Sequence, residues 1–230
     1  MSTQATALST KPAFEGGQGS KPWLALAAAG LLLLIGGAAH PVTDGAATYE
    51  HAIEHMLHDG SWPITHAVTL VGMATLAAAL FRLRSTEGRS WPGAVRGWTL
   101  ALAIAALLGV VELIPHLFAY LQVDDFERTG TASLLSVHMA IQAVSNPLIG
   151  LSVAGLAIST ARGREFGNGP LMAVPAVIGG AAFGIAGILM AVMHEPALSP
   201  LFSGAAGFSL WLLVGSLRRV FAARAATADA

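Results

Sequence analysis

Six long apolar runs divide this chain, at about residues 23–39, 63–83, 97–121, 134–160, 170–193 and 201–217. No other feature restricts its fold as strongly. A helix needs about 20 apolar residues to cross the hydrocarbon core of a bilayer, and each run approaches or exceeds that length. The sequence therefore predicts an all-α fold, an integral membrane bundle of six transmembrane helices. The composition agrees. Hydrophobic residues make up 54% of the chain and charged residues only 11%, where a soluble domain carries about 25% charged residues. The missing charge is replaced by Ala, Leu, Val, Ile and Gly rather than by other polar residues.

The same composition excludes several functions. There is no cysteine, so disulfides, thiolate metal sites and cysteine nucleophiles are ruled out. The formal net charge is −1, which gives no sign of nucleic-acid binding. The partner implied is the lipid bilayer, with a homo-oligomer or a partner membrane subunit left open. No phosphate-binding glycine loop or nucleophile elbow is present. The segment "HAIEH" spaces two histidines like a zinc-protease helix, but no glutamate follows the first histidine. No catalytic residue is assigned.

Charge distribution sets the topology. Lys and Arg collect in cytoplasmic loops. Lys11 and Lys21 precede the first run, and Arg82, Arg84, Arg89 and Arg96 separate the second from the third. Arg162 and Arg164 separate the fourth from the fifth, and Arg218, Arg219 and Arg224 follow the sixth. With both termini cytoplasmic, every basic residue except Arg128 falls inside. Residues 1–21 read as a disordered cytoplasmic tail, 22–222 as the six-helix domain and 223–230 as a frayed C-terminal tail. "GGAAHP" after the first run offers small residues for signal cleavage, but the long charged pre-region favours an uncleaved span. An Ala- and Arg-rich, Lys-poor composition suits a high-GC bacterial genome, which would place the protein in the inner membrane.

In this topology all eight histidines lie at outer ends of spans or in outer loops. His51, His55 and His58 are spaced i, i+4, i+7 and share one helical face. Tyr49, Ile53, Met56 and Leu57 fall opposite. A short amphipathic helix is expected in the first outer loop, capped by Asp44 or Thr48 and stopped by Gly60. Two orientations compete. In the favoured one the apolar face rests on lipid or on the bundle and the histidines face water. In the other the helix is a lid with its histidines turned inward.

Inside the spans, Glu112 and His116 lie one turn apart on the third. His138, Gln142, Ser145 and Asn146 form a polar stripe on the fourth. Gly180, Gly184 and Gly187 form a small-residue face on the fifth, with His194 expected to point inward from its end. His66 opens the second span, with Thr69 and Met73 below it. An ionisable residue such as Glu112 is costly inside a membrane and normally faces protein or a cavity. His66, Glu112, His116, His138 and His194 are accordingly the expected metal ligands, with Gln142 and Thr69 supporting them. Imidazoles with a carboxylate suit Zn, Cu or non-haem Fe. Three alternatives stand beside this one. The first is haem b between two histidines, for which only Arg128 is available to neutralise propionates. The others are a proton-coupled carrier or sensor, and a structural assembly subunit with no cofactor.

Overall fold

The computed structural model describes residues 19–41, 48–194 and 196–228. They form α1 (Ser20–Ala38), α2 (Tyr49–His58), α3 (Trp62–Thr86), α4 (Gly93–Phe118), α5 (Val123–Thr129), α6 (Ser133–Thr160), α7 (Pro170–Met193) and α8 (Gly204–Ala228). Short 3-10 turns at Gly88–Ser90, Ala119–Gln122 and Pro196–Ser203 join them. No strand occurs among the described residues. Six helical segments are long and apolar enough to cross a membrane: α1, α3, α4 with its continuation through α5, α6, α7 and α8 with the turn before it.

The spans run alternately up and down. Each packs on the next, α1 on α3, α3 on α4, α4 on α6, α6 on α7 and α7 on α8, and α8 returns to α1. The result is a closed six-helix ring. One end gathers the histidines. The other gathers Lys21, Arg82, Arg84, Arg89, Arg96 and the arginines after α6 and in α8.

Small residues mediate the tightest contacts, as expected where lipid removes any hydrophobic drive between helices. A Cβ on Gly150 of α6 would collide with the Gly180 carbonyl oxygen of α7, and one on Gly30 of α1 would stand 2.8 Å from the Leu213 nitrogen of α8. Large apolar side chains instead face outward. Ile104, Val111, Leu151, Ile158, Ile178 and Val192 are all exposed on the ring, the arrangement a lipid surface requires.

Several boundaries differ from those read in the sequence. The helix of α8 continues to Ala228, through the region expected to fray. Pro115, Pro147 and Pro175 lie inside α4, α6 and α7 without interrupting them. Residues 1–18 of the expected tail lie outside the described residues.

The amphipathic helix is present as α2. Thr48 caps it, its hydroxyl accepting from the His51 backbone N–H at 3.3 Å; Asp44, the other candidate cap, lies outside the described residues. Asp59 closes the far end, its Oδ1 accepting from the Ser61 N–H at 2.7 Å. Ala52, Ile53, Met56 and Leu57 are buried. Ile53, Met56 and Leu57 share a small core with Trp62, Ala119, Phe126, Ala132 and Leu135, distinct from the main core of the ring. Burying such side chains contributes roughly 1.5–3 kcal/mol each relative to water. That holds α2 across the bundle end with His51, His55 and His58 exposed, the favoured of the two orientations.

Candidate metal centre

Beneath α2, four elements deliver polar side chains to one place. His40 sits just after α1, His66 one turn into α3, Glu112 and His116 in the last two turns of α4, and His138 near the start of α6. His66, Glu112 and His138 are 1%, 6% and 4% exposed, so none has bulk water to satisfy it. The rings crowd together. His116 stacks on His138 with centroids 3.6 Å apart, His66 lies 4.2 Å from His116, and His40 lies 4.8 Å from His66. Trp62 closes the group. Its ring stacks on His66 at 4.2 Å, and its Nε1–H donates to the His116 carbonyl at 3.0 Å.

Backbone carbonyls fix two of the tautomers. The Nδ1–H of His66 donates to the Trp62 carbonyl at 2.6 Å, and the Nδ1–H of His40 donates to the Pro41 carbonyl at 2.7 Å. A carbonyl only accepts, so both Nδ1 atoms carry protons, and in the neutral rings both Nε2 atoms carry lone pairs. Those two Nε2 atoms face each other at 3.1 Å. Two lone pairs at that distance repel unless a cation lies between them. Burial holds His40 below the ordinary imidazole pKa, against the upward effect of the Pro41 carbonyl, which disfavours a proton as that cation.

A second convergence lies deeper. Glu112 Oε1 stands 3.7 Å from His116 Nδ1 and 2.5 Å from His138 Nδ1. Both nitrogens are nevertheless buried without a hydrogen-bond partner. The 2.5 Å approach therefore lies off the ring N–H direction and is not a hydrogen bond. Both ion-pair contacts of Glu112 are to imidazoles. A buried carboxylate without a fixed cation costs several kcal/mol.

The donor set suits a transition metal. Ligands about 2.0–2.1 Å from a tetrahedral ion stand about 3.3 Å apart. The His40–His66 and Glu112–His116 pairs, at 3.1 and 3.7 Å, bracket that spacing. The Glu112–His138 pair would open by about 0.8 Å to share one ion at that spacing. Two triads have ligand atoms within 4.8 Å of one another: His40, His66 and His116, and Glu112, His116 and His138.

The structure thus brings His66, Glu112, His116 and His138 together and leaves His194 apart. His194 is exposed, at the C-cap of α7 with φ 51°. That left-handed turn takes its side chain off the face of Gly180, Gly184 and Gly187, and its ring rests 4.8 Å from that of Tyr49 on α2. Thr69, one turn below His66, donates its hydroxyl to the Thr65 carbonyl at 2.8 Å and packs against Gly36 of α1. Gln142 is buried one turn below His138, where its backbone carbonyl faces Gly187. The hydrogen bonds that orient the ring come instead from the carbonyls of Trp62 and Pro41. His40 is the member that helical spacing does not identify. It stands in the turn after α1, where no period gives side-chain direction; its only signal is its place before Pro41 at the same end as the others. A third group, Glu54, His58 and Glu127, lies at the rim, where Glu54 is half-buried and the other two are exposed.

Fold and cluster together define a multi-pass helical membrane protein with a buried His/Glu group at one end. Compared with protein-family models, curated proteins and solved structures, the chain gives no match.

Proposed function

We propose that this protein holds a non-haem transition-metal ion at the histidine end of its bundle, with ligands drawn from His40, His66, Glu112, His116 and His138. The observation that carries the reading is the His40–His66 pair. Two imidazoles, each with its proton committed to a backbone carbonyl, present facing lone pairs at 3.1 Å, the arrangement two ligands of one ion adopt. The unpartnered ring nitrogens of His116 and His138 beside Glu112 support it. A divalent ion there would neutralise a buried carboxylate that has no Lys or Arg ion pair among the described residues.

Haem fits poorly. Two axial imidazoles lie on opposite faces of a flat macrocycle, whereas these rings stand 3.6–4.8 Å apart and leave no slot between them. When bound, the ion supplies Lewis acidity or an electron-transfer centre. The chain's own groups orient the imidazoles through Trp62 and Pro41, and Trp62 and α2 shield the cluster from water. That burial favours a resident centre over a bulky-substrate site. The concentration of Arg and Lys at the opposite end supports an orientation with both termini cytoplasmic, in a bacterial inner membrane.

One competing reading places a shared proton between the two Nε2 atoms, as in a pH sensor. Metal analysis separates the two. The full chain, purified in detergent without chelator, is expected to carry stoichiometric transition metal by plasma mass spectrometry, and His66→Ala to lose it. A metal-free wild-type chain whose melting temperature does not move on addition of Zn, Cu or Fe(II) would overturn the proposal.

A further inference from the structure

We infer that the cluster holds two metal ions side by side, bridged by the imidazole of His116; this rests on the metal reading above. Ligands of one ion stand no more than about 4.2 Å apart, twice the metal–nitrogen distance. The five side chains do not bring one ligand atom each within even 4.8 Å of all the others. They fall into two triads whose ligand atoms lie within 4.8 Å, and His116 is the member common to both. One position is framed by the facing Nε2 atoms of His40 and His66. The other is framed by Glu112 Oε1 with the unpartnered Nδ1 atoms of His116 and His138. An imidazole carries nitrogens on opposite edges, so one ring can serve both positions.

The bridge also offsets part of the charge of the two ions. A neutral imidazole has one lone pair to give, so the second ion must displace the remaining ring proton of His116, which leaves to solvent as H⁺. The bridge is then an imidazolate. Together with the Glu112 carboxylate it places two negative charges against two divalent ions. No electron moves and no other reactant is needed. His116 is well placed for this role: its side chain is mostly buried, and the Trp62 indole N–H holds its backbone.

Copper(II) is the probe. The metal-free full chain in detergent is titrated with Cu(II), and bound metal is compared with the spin count from low-temperature electron paramagnetic resonance. The expected result is two ions per chain and a spin count well below two, because an imidazolate bridge couples the spins. Glu112→Gln should keep one ion with a full, uncoupled signal, and His40→Ala should do the same from the other side. His116→Ala should abolish the coupling. One ion per chain in the wild type, or two with independent spins, would overturn the bridge while leaving the metal reading intact. No bound copper, with no response to Zn or Fe(II) either, would overturn both.

Discussion

At the arginine end, the acid Glu87 meets donors. Its Oε1 accepts from the Trp23 indole N–H at 2.6 Å, and its Oε2 from Arg219 at 3.2 Å. The Arg219 guanidinium also lies 5.1 Å from the Trp23 ring centroid; Trp23 in turn packs on Trp91 and Phe166, and Phe166 stacks on Trp211. At the histidine end, the ion-pair contacts of Glu112 among the described residues are to imidazoles. The histidine end buries its carboxylate between spans and the arginine end half-buries one just after α3; the first sets imidazoles beside it and the second a permanent cation. Unpartnered atoms occur outside the histidine end too. Ser209, Ser216, Asn168 and Trp211 have single hydroxyl, amide or N–H atoms without partners, as do one Glu165 carboxylate oxygen and Arg219 Nε, and buried water can serve such atoms. The unpartnered nitrogens of His116 and His138 stand beside a carboxylate, as a metal site requires. The arginine end therefore reads as a structural lock, and the histidine end as a cluster that could hold a metal.

The strongest way to break that contrast is to remove a ligand. His66→Ala should abolish stoichiometric metal, measured by plasma mass spectrometry. It should also remove the metal-dependent rise in stability, which for a native-state ligand at roughly a thousandfold above its Kd is about 4 kcal/mol. Acid should act in the same direction on the wild type, because protons compete with the ion for imidazole nitrogens and occupancy falls as pH falls. If His66→Ala keeps its metal, the histidine end is no more a site than the arginine end.

A change at the other end sharpens the comparison. Glu87→Gln keeps the shape but removes the charge that Arg219 faces and weakens the acceptor for Trp23. Arg219 is 36% exposed on its side chain and Glu87 only 11%, so solvent screens part of the loss. The expected destabilisation is about 1–2 kcal/mol, read from thermal melting in detergent, with metal content unchanged. Metal loss in this variant would show that the two ends are coupled through the ring.

Trp62→Phe tests whether the histidine end is also held by ordinary packing. The ring face against His66 remains, but the donor to the His116 carbonyl is gone. The expected cost is about 0.5–1.5 kcal/mol with the metal retained at lower affinity. An unchanged melting temperature and affinity would show that the indole N–H does not position His116.

How much of this was legible in the sequence follows from how each part is encoded. The spans were, because bilayer thickness sets a minimum apolar length. The shared end and inward face of His66, Glu112, His116 and His138 were also legible, since each sits inside a regular helix whose period gives side-chain direction. His40 and His194 were not. One follows a helix in a turn and the other ends a helix at positive φ, so the backbone's local bend decides their direction. The orienting role of the Trp62 and Pro41 carbonyls was hidden for a different reason: a backbone acceptor has no side-chain signature. Thr69 looked available, but a helical threonine often turns its hydroxyl to the carbonyl four residues back, and this one does.

The smallest expected effect concerns the densest run of histidines in the chain. His51, His55 and His58 share the water-facing side of α2, and His58 Nε2 pairs with Glu127 Oε1 at 2.6 Å, with their side chains 54% and 42% exposed. Exposed pairs of this kind contribute about 0–1 kcal/mol. The fold of α2 comes from Ile53, Met56 and Leu57, which the substitutions leave untouched. Replacing all three histidines with Ala should therefore shift the melting temperature little and leave the tightly bound metal unchanged after dialysis. Weakly held ions at the rim group of Glu54, His58 and Glu127 would be lost in that dialysis from the wild type as well. A loss of tightly bound metal in the triple variant would mean that α2 contributes ligands, and the boundary drawn here between solvated face and buried cluster would have to move outward.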